Sequence, residues 1–423
     1  MWTPDGLTTA GTATLRCDQY PDQVYTATVD GPRFLWTLPP ETLPWGAWLT
    51  VSGVPGYLDY AARCVIDHDI TDIALDASLE RIDTQGRQFR TESGARFRWR
   101  GASGFRLLEW LATGHSDVAE TYLAWAAREG ITVVRVFTMA RYMFTLAPEV
   151  GRAVLGQALA RAATHGLYLE VVCLADTASY TFDHATHVEQ VGAICAEHLN
   201  SVIEIANEPD HSTQDPRVHD PEYLLRLAAR VPGSVVVALG ASHGPGDESR
   251  AYIGGDYVTV HGDRADGEDG WRPVRHTNEQ RALSEDVGKV VVNDEPSRDM
   301  TPDKHLAMAL LCAMHGLGDT FHYAEGKDAR PATGADAVCL AQRVRGWDAV
   351  PVDWWGVYQN AGWAGSPVKE FTGALRLYSS INGHFGYTLG LDCSDATQVR
   401  WNDGWSAQLL IAEGGTRWWS VRR

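Results

Sequence analysis

Two stretches of the chain end an apolar run on acidic and amide side chains: 201–210, SVIEIANEPD, and 289–296, KVVVNDEP. In a β-strand successive side chains alternate between faces, so residues two apart share one. Glu204, Ala206 and Glu208 then share a face of the first stretch. Val291, Asn293 and Glu295 share a face of the second, with Asp294 on the other. A carboxylate inside a buried strand is costly unless paired, which makes Glu204 part of the same puzzle. If Glu208 and Glu295 end two strands of one barrel and point into its lumen, two carboxylates face each other over one cavity. Such a pair, in different environments, is suited to glycoside hydrolysis: one donates a proton and the other attacks carbon or activates water.

The surrounding sequence supplies the elements that could hold them. From about residue 89, strand-like runs alternate with helix-like ones. The strand candidates are FRWRGA, ITVVRVFT, LYLEVVCLAD, SVIEIANEP, SVVVALG, YVTVHGD, KVVVNDEP and DTFHYAE. Between them lie segments such as DVAETYLAWAAREG, EVGRAVLGQALARAATHG and PDKHLAMALLCAMHGLG, whose apolar spacing is near 3.6 and which close on Gly. Eight alternations predict an α/β fold, a (β/α)8 TIM barrel over 89–350, with catalytic groups at the C-terminal ends of the strands. A doubly wound sheet is the rival, but RGASGF lacks the Gly spacing of its phosphate loop. Residues 1–88 read as short alternating strands, an N-terminal β-sandwich, and 351–423 as a small C-terminal β domain. The passage GDRADGEDGWRPVRHTNEQ reads as a long loop after the sixth barrel strand.

Four motifs, in order on the expected strands, resemble glycoside hydrolase clan A, the group that includes the family 5 cellulases and mannanases. NEP gives Asn207 and Glu208 at the fourth strand, VVVNDEP gives Glu295 at the seventh, VVRVF gives Arg135 at the second and VTVHGD gives His261 at the sixth. The resemblance spans roughly residues 95–330. It implies a retaining mechanism, with Glu295 as nucleophile and Glu208 as acid and then base. It also implies that Asn207 bonds the sugar 2-hydroxyl, Arg135 keeps Glu295 ionised and His261 orients Glu208 or the substrate. The chain departs from the family 5 pattern at Asp263, where a tyrosine is usual. It also departs at the eighth strand, where His322, Tyr323 and Glu325 stand in place of a stacking tryptophan, and at the third, which offers Asp176. Within the first module, WLTVSGVPGYLDYAARCVIDHDITDIAL resembles carboxypeptidase-regulatory-like, transthyretin-type modules.

Bulk properties narrow the partners. A net charge of −18 over 423 residues leaves no basic stripe for nucleic acid. No window is apolar enough for a membrane span, and the first residues do not read as a signal peptide, so the compartment stays open. Seven cysteines without a CxxC pair read as mostly buried free thiols, with Cys17 and Cys64 able to pair. No metal or cofactor is expected: His184 and His187 have no third ligand and read as surface residues. Ser242 and His243 lack a nucleophile elbow, and Lys289 sits on the wrong rim for a Schiff base. Among 16 tryptophans, Trp271 is the candidate sugar platform, with Trp347, Trp354, Trp355 and Trp363 in later passages. The expected partner is an oligo- or polysaccharide. The competing expectation is a carbohydrate-binding or host-adhesion protein, virion-associated in one form, that uses the barrel as a recognition surface. Retention of both carboxylates favours chemistry. Oligomeric state is not legible.

Overall fold

The structure is a computed structural model. It describes residues 79–244, 250–262 and 272–348 and, outside these, only the strands given below. Strands β1 (Gly11–Cys17), β2 (Val24–Val29), β3 (Ala47–Ser52) and β4 (Tyr60–Cys64) make one antiparallel sheet in the order β2-β1-β3-β4. A second antiparallel sheet comprises β5 (Ile82–Gln85), β6 (Gln88–Thr91) and β7 (Arg96–Phe97). Ile82 and Phe89 of this sheet pack in one cluster with Trp99, Val133 and Tyr257 from the barrel floor. The hairpin therefore packs against the barrel floor from residue 82.

Eight parallel strands form the barrel: β8 (Arg100–Ser103), β9 (Val133–Phe137), β10 (Tyr168–Leu174), β11 (Ser201–Ala206), β12 (Val237–Ala238), β13 (Val258–His261), β14 (Val291–Glu295) and β15 (Gly318–Phe321). Their order is β12-β11-β10-β9-β8-β15-β14-β13. The remaining gap is bridged where the Asp256 N–H donates to the Val237 carbonyl at 2.6 Å. The helices are α1 (Leu107–Ala112), α2 (Ser116–Arg128), α3 (Pro148–Thr164), α4 (His184–Ala196), α5 (Pro221–Ala228), α6 (Arg272–Val287), α7 (Pro302–His315) and α8 (Gly334–Asp348). Among the described residues, every crossover except β12 to β13 carries an α-helix. Beyond the barrel lie a pair, β16 (Lys369–Glu370) and β17 (Arg376–Leu377), and a three-stranded sheet, β18 (Gln398–Arg400), β19 (Ser406–Glu413) and β20 (Thr416–Arg422).

Strand alternation builds two cores. Val134, Val136, Leu169, Val171, Ile203 and Ile205 face outward and pack with Leu123, Leu155, Leu159, Val188 and Leu224 of the helices. Val133, Tyr168, Val202, Val236 and Val292 face inward and fill the lower lumen. Burial on both faces is why these strands read as nearly unbroken apolar runs. Gly101 makes room for the floor: a Cβ there would lie 2.2 Å from Thr320 Oγ1 and 2.9 Å from Trp99 Nε1. The Trp99 indole can therefore cross the lumen and donate to Thr320 Oγ1 at 3.2 Å.

Two expectations are corrected by this packing. Residues 272–287, which take in the end of the presumed long loop, are helix α6. Its inward face is largely polar: His276, Thr277, Gln280, Arg281 and Ser284 are all buried, so no apolar period marks it. His184 and His187 are buried rather than on the surface. His187 Nε2 contacts the Cys173 carbonyl at 3.0 Å and Thr138 Oγ1 at 3.2 Å. Burial first, then the charge of Arg152, pushes its imidazole down to about 3, so it holds helix to sheet as a neutral ring. Cys173, Cys195, Cys312 and Cys339 are buried free thiols.

Candidate active site

Above the apolar floor the lumen turns acidic. Arg135, on β9, is fully buried with Glu170 of β10, Glu204 of β11 and Asp294 of β14 around it. Its Nε donates to Glu204 Oε2 at 2.9 Å, its NH1 to Glu295 Oε1 at 2.6 Å and its NH2 to Asn207 Oδ1 at 2.9 Å. Asp294 Oδ2 lies 3.2 Å and Glu170 Oε2 3.7 Å from Nε. Phe105 and Phe137 stack at 4.5 Å, and the guanidinium lies over both rings. Burial opposes its charge, but the four carboxylates outweigh that and raise its pKa well above the usual arginine value. One fork thus ties the second, fourth and seventh strands together, which a lysine could not do.

One guanidinium cannot neutralise this layer. Burial, then the charge of Glu204, pushes the Glu170 carboxyl up to about 8, against the opposing pull of Arg135 and the hydrogen bond from Tyr257. That bond runs from the Tyr257 hydroxyl to Glu170 Oε1 at 3.0 Å. Burial likewise raises Asp294 well above the ordinary carboxyl range, with Glu204 and Glu170 adding to it and Arg135 and His261 opposing. Glu170 therefore holds a proton at neutral pH, and burial biases Asp294 in the same direction.

The upper tier holds Glu208 and Glu295. A carboxylate oxygen of each and a nitrogen of His261 lie within 4.8 Å of one another. Glu208 follows β11 with φ at 42°, a left-handed conformation uncommon outside glycine and found at functional sites. Two imidazoles meet its Oε1: His261 Nδ1 at 3.2 Å and His243 Nδ1 at 3.0 Å. His261 Nε2 turns to Asp294 Oδ1 at 3.7 Å and Glu295 Oε1 at 3.8 Å. Burial would lower His261, but Glu295, Asp294 and Glu208 outweigh it and raise the ring to about 9. Burial would raise Glu208, as would Glu295; the hydrogen bonds and charge of His261, helped by His243, hold it at about 2. In the free site the proton between them rests on His261.

The strand-parity expectation holds for β11 and fails for β14. Val290 and Val292 face the lumen, so Asp294 does too and Asn293 takes the helix side. The pairing of β13 with β14 slips at this point: Val260 stands opposite Asn293, but His261 stands opposite Glu295. This β-bulge adds one residue and swings Glu295 inward beside Asp294. The lumen therefore receives both acids, not Glu295 alone.

The other residues named from sequence separate into groups. Asn207 and His261 lie against the carboxylates, as described. His322 joins them: Nδ1 bonds Ser103 Oγ at 2.8 Å, the ring stacks on Phe105 at 5.6 Å, and Nε2 lies 3.9 Å from Glu295 Oε2. Tyr323 points the opposite way, into the helix layer near Trp125, and donates to the Arg330 carbonyl at 2.6 Å. Strand alternation next to His322 requires this. Glu325 starts a short 3-10 turn after β15. Asp176 lies two residues past β10 and accepts the Arg141 and Tyr142 N–H groups at 2.9 and 3.2 Å, fixing the loop after β9 rather than touching the acids. Trp271, Trp354, Trp355, Trp363 and Asp263 lie outside the described residues, and Trp347 is buried, donating to Asp319 Oδ2 at 2.8 Å.

Glu170 and Ser103 join the site without having been singled out for it, and Asp294 and His243 enter it in places the sequence did not assign them. Glu170 had a signal, an isolated acid inside YLEVVCL at the level of Arg135; His243 had none. Three groups of side chains have ligand-like spacing among the described residues: Glu170, Glu204 and Asp294; Glu208, His261 and Glu295; Glu208, His211 and His243. In the first group Arg135 already occupies the cationic position.

No family model matches the chain, and no curated protein matches it. Solved structures of similar architecture include glycoside hydrolases. The chain is similar to a family 5 mannosidase from Rhizomucor miehei at 12% identity, covering 67% of this chain and 99% of that one with a TM-score of 0.49. A glycoside hydrolase family 5 structure from Bacteroides vulgatus is 15% identical, covers 61% and 65%, and has a TM-score of 0.43. The β-mannanase from the blue mussel Mytilus edulis is 12% identical, covers 63% and 96%, and has a TM-score of 0.43.

Proposed function

We propose that this chain is a retaining glycosidase acting on a β-linked glycan, with Glu295 as nucleophile and Glu208 as acid and base. The observation that carries the reading is that one carboxylate oxygen of Glu208 and one of Glu295 lie within 4.8 Å of each other across the barrel mouth. Retaining enzymes hold their carboxyl groups about 5–5.5 Å apart, whereas inverting ones leave about 6.5–9.5 Å for a water. In the first step Glu295 Oε attacks the anomeric carbon as the glycosidic C–O bond breaks, and Glu208 protonates the departing oxygen. In the second, Glu208 takes a proton from water, which attacks the same carbon and releases Glu295. Arg135 keeps Glu295 anionic and aimed, and Asn207, anchored through Oδ1, faces the sugar 2-hydroxyl.

The proton needed by Glu208 comes from His261. Substrate expels water from the cavity, which disfavours the ion pair, and Nδ1–H passes its proton across the 3.2 Å contact to Glu208 Oε1. His261 then stands neutral beside the developing charge and recovers the proton when Glu208 acts as base. His322, braced by Ser103, lines the same side of Glu295.

The test is a panel of aryl β-glycosides and β-linked polysaccharides, with NMR reading the anomer first released. A first product of retained configuration supports the reading, and an inverted one sinks it. Glu208→Ala and Glu295→Ala should each abolish turnover, and full activity in either removes that residue's assignment. Binding of glycans with no turnover by the wild type would favour the recognition-surface reading instead.

A further inference from the structure

The rim carries two histidines beside Glu208, His211 and His243, to which the mechanism proposed above gives no step. A carboxylate oxygen of Glu208, a nitrogen of His211 and a nitrogen of His243 lie within 4.8 Å of one another. The two imidazoles meet edge to face at 4.6 Å. They come from separate segments, the turn after β11 and the segment after β12, and the segments are fastened together. Asp210 accepts the Ser242 hydroxyl at 2.6 Å and the His243 N–H at 2.7 Å. The His211 N–H donates to the Glu208 carbonyl at 2.9 Å, closing the turn that carries both ligands. His211 Nδ1 is held by Thr213, with Oγ1 at 2.9 Å and the backbone N–H at 3.3 Å. A hydrogen-bonded second nitrogen of this kind fixes ring orientation in metal-binding histidines.

We propose that Glu208, His211 and His243 form a binding site for a borderline divalent transition ion of the Zn2+ class. Two imidazoles and one carboxylate, completed by water, make a donor set that zinc sites use. The same set suits Co2+ and Ni2+ and is poor for Mg2+ or Ca2+, which prefer all-oxygen shells. In the free chain Nδ1 accepts the Thr213 N–H; ligation through the other His211 nitrogen moves the ring proton onto Nδ1, where Thr213 Oγ1 is placed to accept it. Ligand atoms around zinc sit about 2.0–2.2 Å from the metal, so the half-exposed His243 ring closes inward on binding while Asp210 keeps its backbone in place. Ligation consumes the Glu208 oxygen that would carry the catalytic proton. Occupancy therefore switches the acid/base off, a consequence that rests on the function proposed above; binding itself does not.

The experiment is titration of chelator-treated full-length protein with Co2+ and then Zn2+, followed by its visible spectrum and by equilibrium dialysis. One ion per chain is expected at micromolar concentration, with Zn2+ displacing Co2+ and Mg2+ failing to do so. His211→Ala and His243→Gln should each weaken uptake at least about tenfold. His165→Ala, at a histidine paired with Glu120 far from the rim, should leave uptake unchanged. Failure of the wild type to bind at micromolar Co2+, or equal binding in both rim variants, overturns the proposal whatever the outcome of the glycoside panel. Metal uptake without turnover of any glycoside would keep this site and sink the glycosidase. If turnover is found, Zn2+ should inhibit it reversibly in the wild type and at least about tenfold less effectively in His211→Ala.

Discussion

Glu170→Gln is expected to change how stability depends on pH. Glu170 is fully buried, packed between Arg135 of β9, Glu204 of β11, Tyr257 ahead of β13, and Asp294 and Glu295 of β14. Burial and the charge of Glu204 push its carboxyl up to about 8, whereas a glutamate in an unfolded chain titrates near about 4.3. Between those values the folded chain holds a proton that the unfolded chain has released. The raised folded value gives a contribution fully present below about 4.3 and lost as pH rises through about 8. One proton corresponds to about 1.4 kcal/mol of stability lost per pH unit, or about 2.7 kcal/mol between pH 5 and pH 7. Glutamine keeps the shape and the hydrogen bond from Tyr257 but binds no proton. The stability of the variant relative to wild type should therefore rise by about 1.4 kcal/mol per pH unit across this window. Urea denaturation at pH 5, 6 and 7, at one salt concentration, measures it. Parallel curves for the two proteins would refute the reasoning. They would mean that Glu170 is ionised when folded and serves Arg135 as a counter-ion.

Arg135→Met should cost about 3–5 kcal/mol, the penalty for leaving buried carboxylates without their partner. A loss below about 1 kcal/mol in denaturant titration would show that the fork is dispensable. His261→Gln should slow turnover of glycosides with poor leaving groups by about 10²–10³-fold, in the range of general acid catalysis, while leaving activated aryl glycosides nearly unchanged. An equal loss on both substrate types would show that the ring does not supply the proton. Wild-type turnover should fall as pH rises through about 9, where His261 gives up its proton. That alkaline limb should be missing for aryl glycosides that need no acid.

Much of this was legible in the chain because the barrel's rules are periodic. The run from Val202 to Ala206 alternates between floor and helix layer as its spacing requires, and Glu204, Asn207 and Glu208 arrive at Arg135 and His261 accordingly. The rest depended on departures from period. At Asp294 a bulge inserts one residue, so both it and Glu295 enter the lumen; counting by twos cannot see an insertion. Helix α6 buries His276, Gln280 and Ser284 between Val274 and Leu283, so its inward face shows no regular apolar period. Tyr323 adjoins His322 in sequence but not in the site, because neighbours along a strand face opposite ways. His243 reaches Glu208 through the clamp at Asp210, a tertiary contact between segments about thirty residues apart.

The most direct measurement of the central claim is covalent trapping. Incubation with 2-deoxy-2-fluoro aryl β-glycosides should stall the reaction after the first displacement, and peptide mass mapping should then find one sugar on Glu295. Hydrolysis without any adduct, or an adduct on Asp294 or Glu208, would contradict the account.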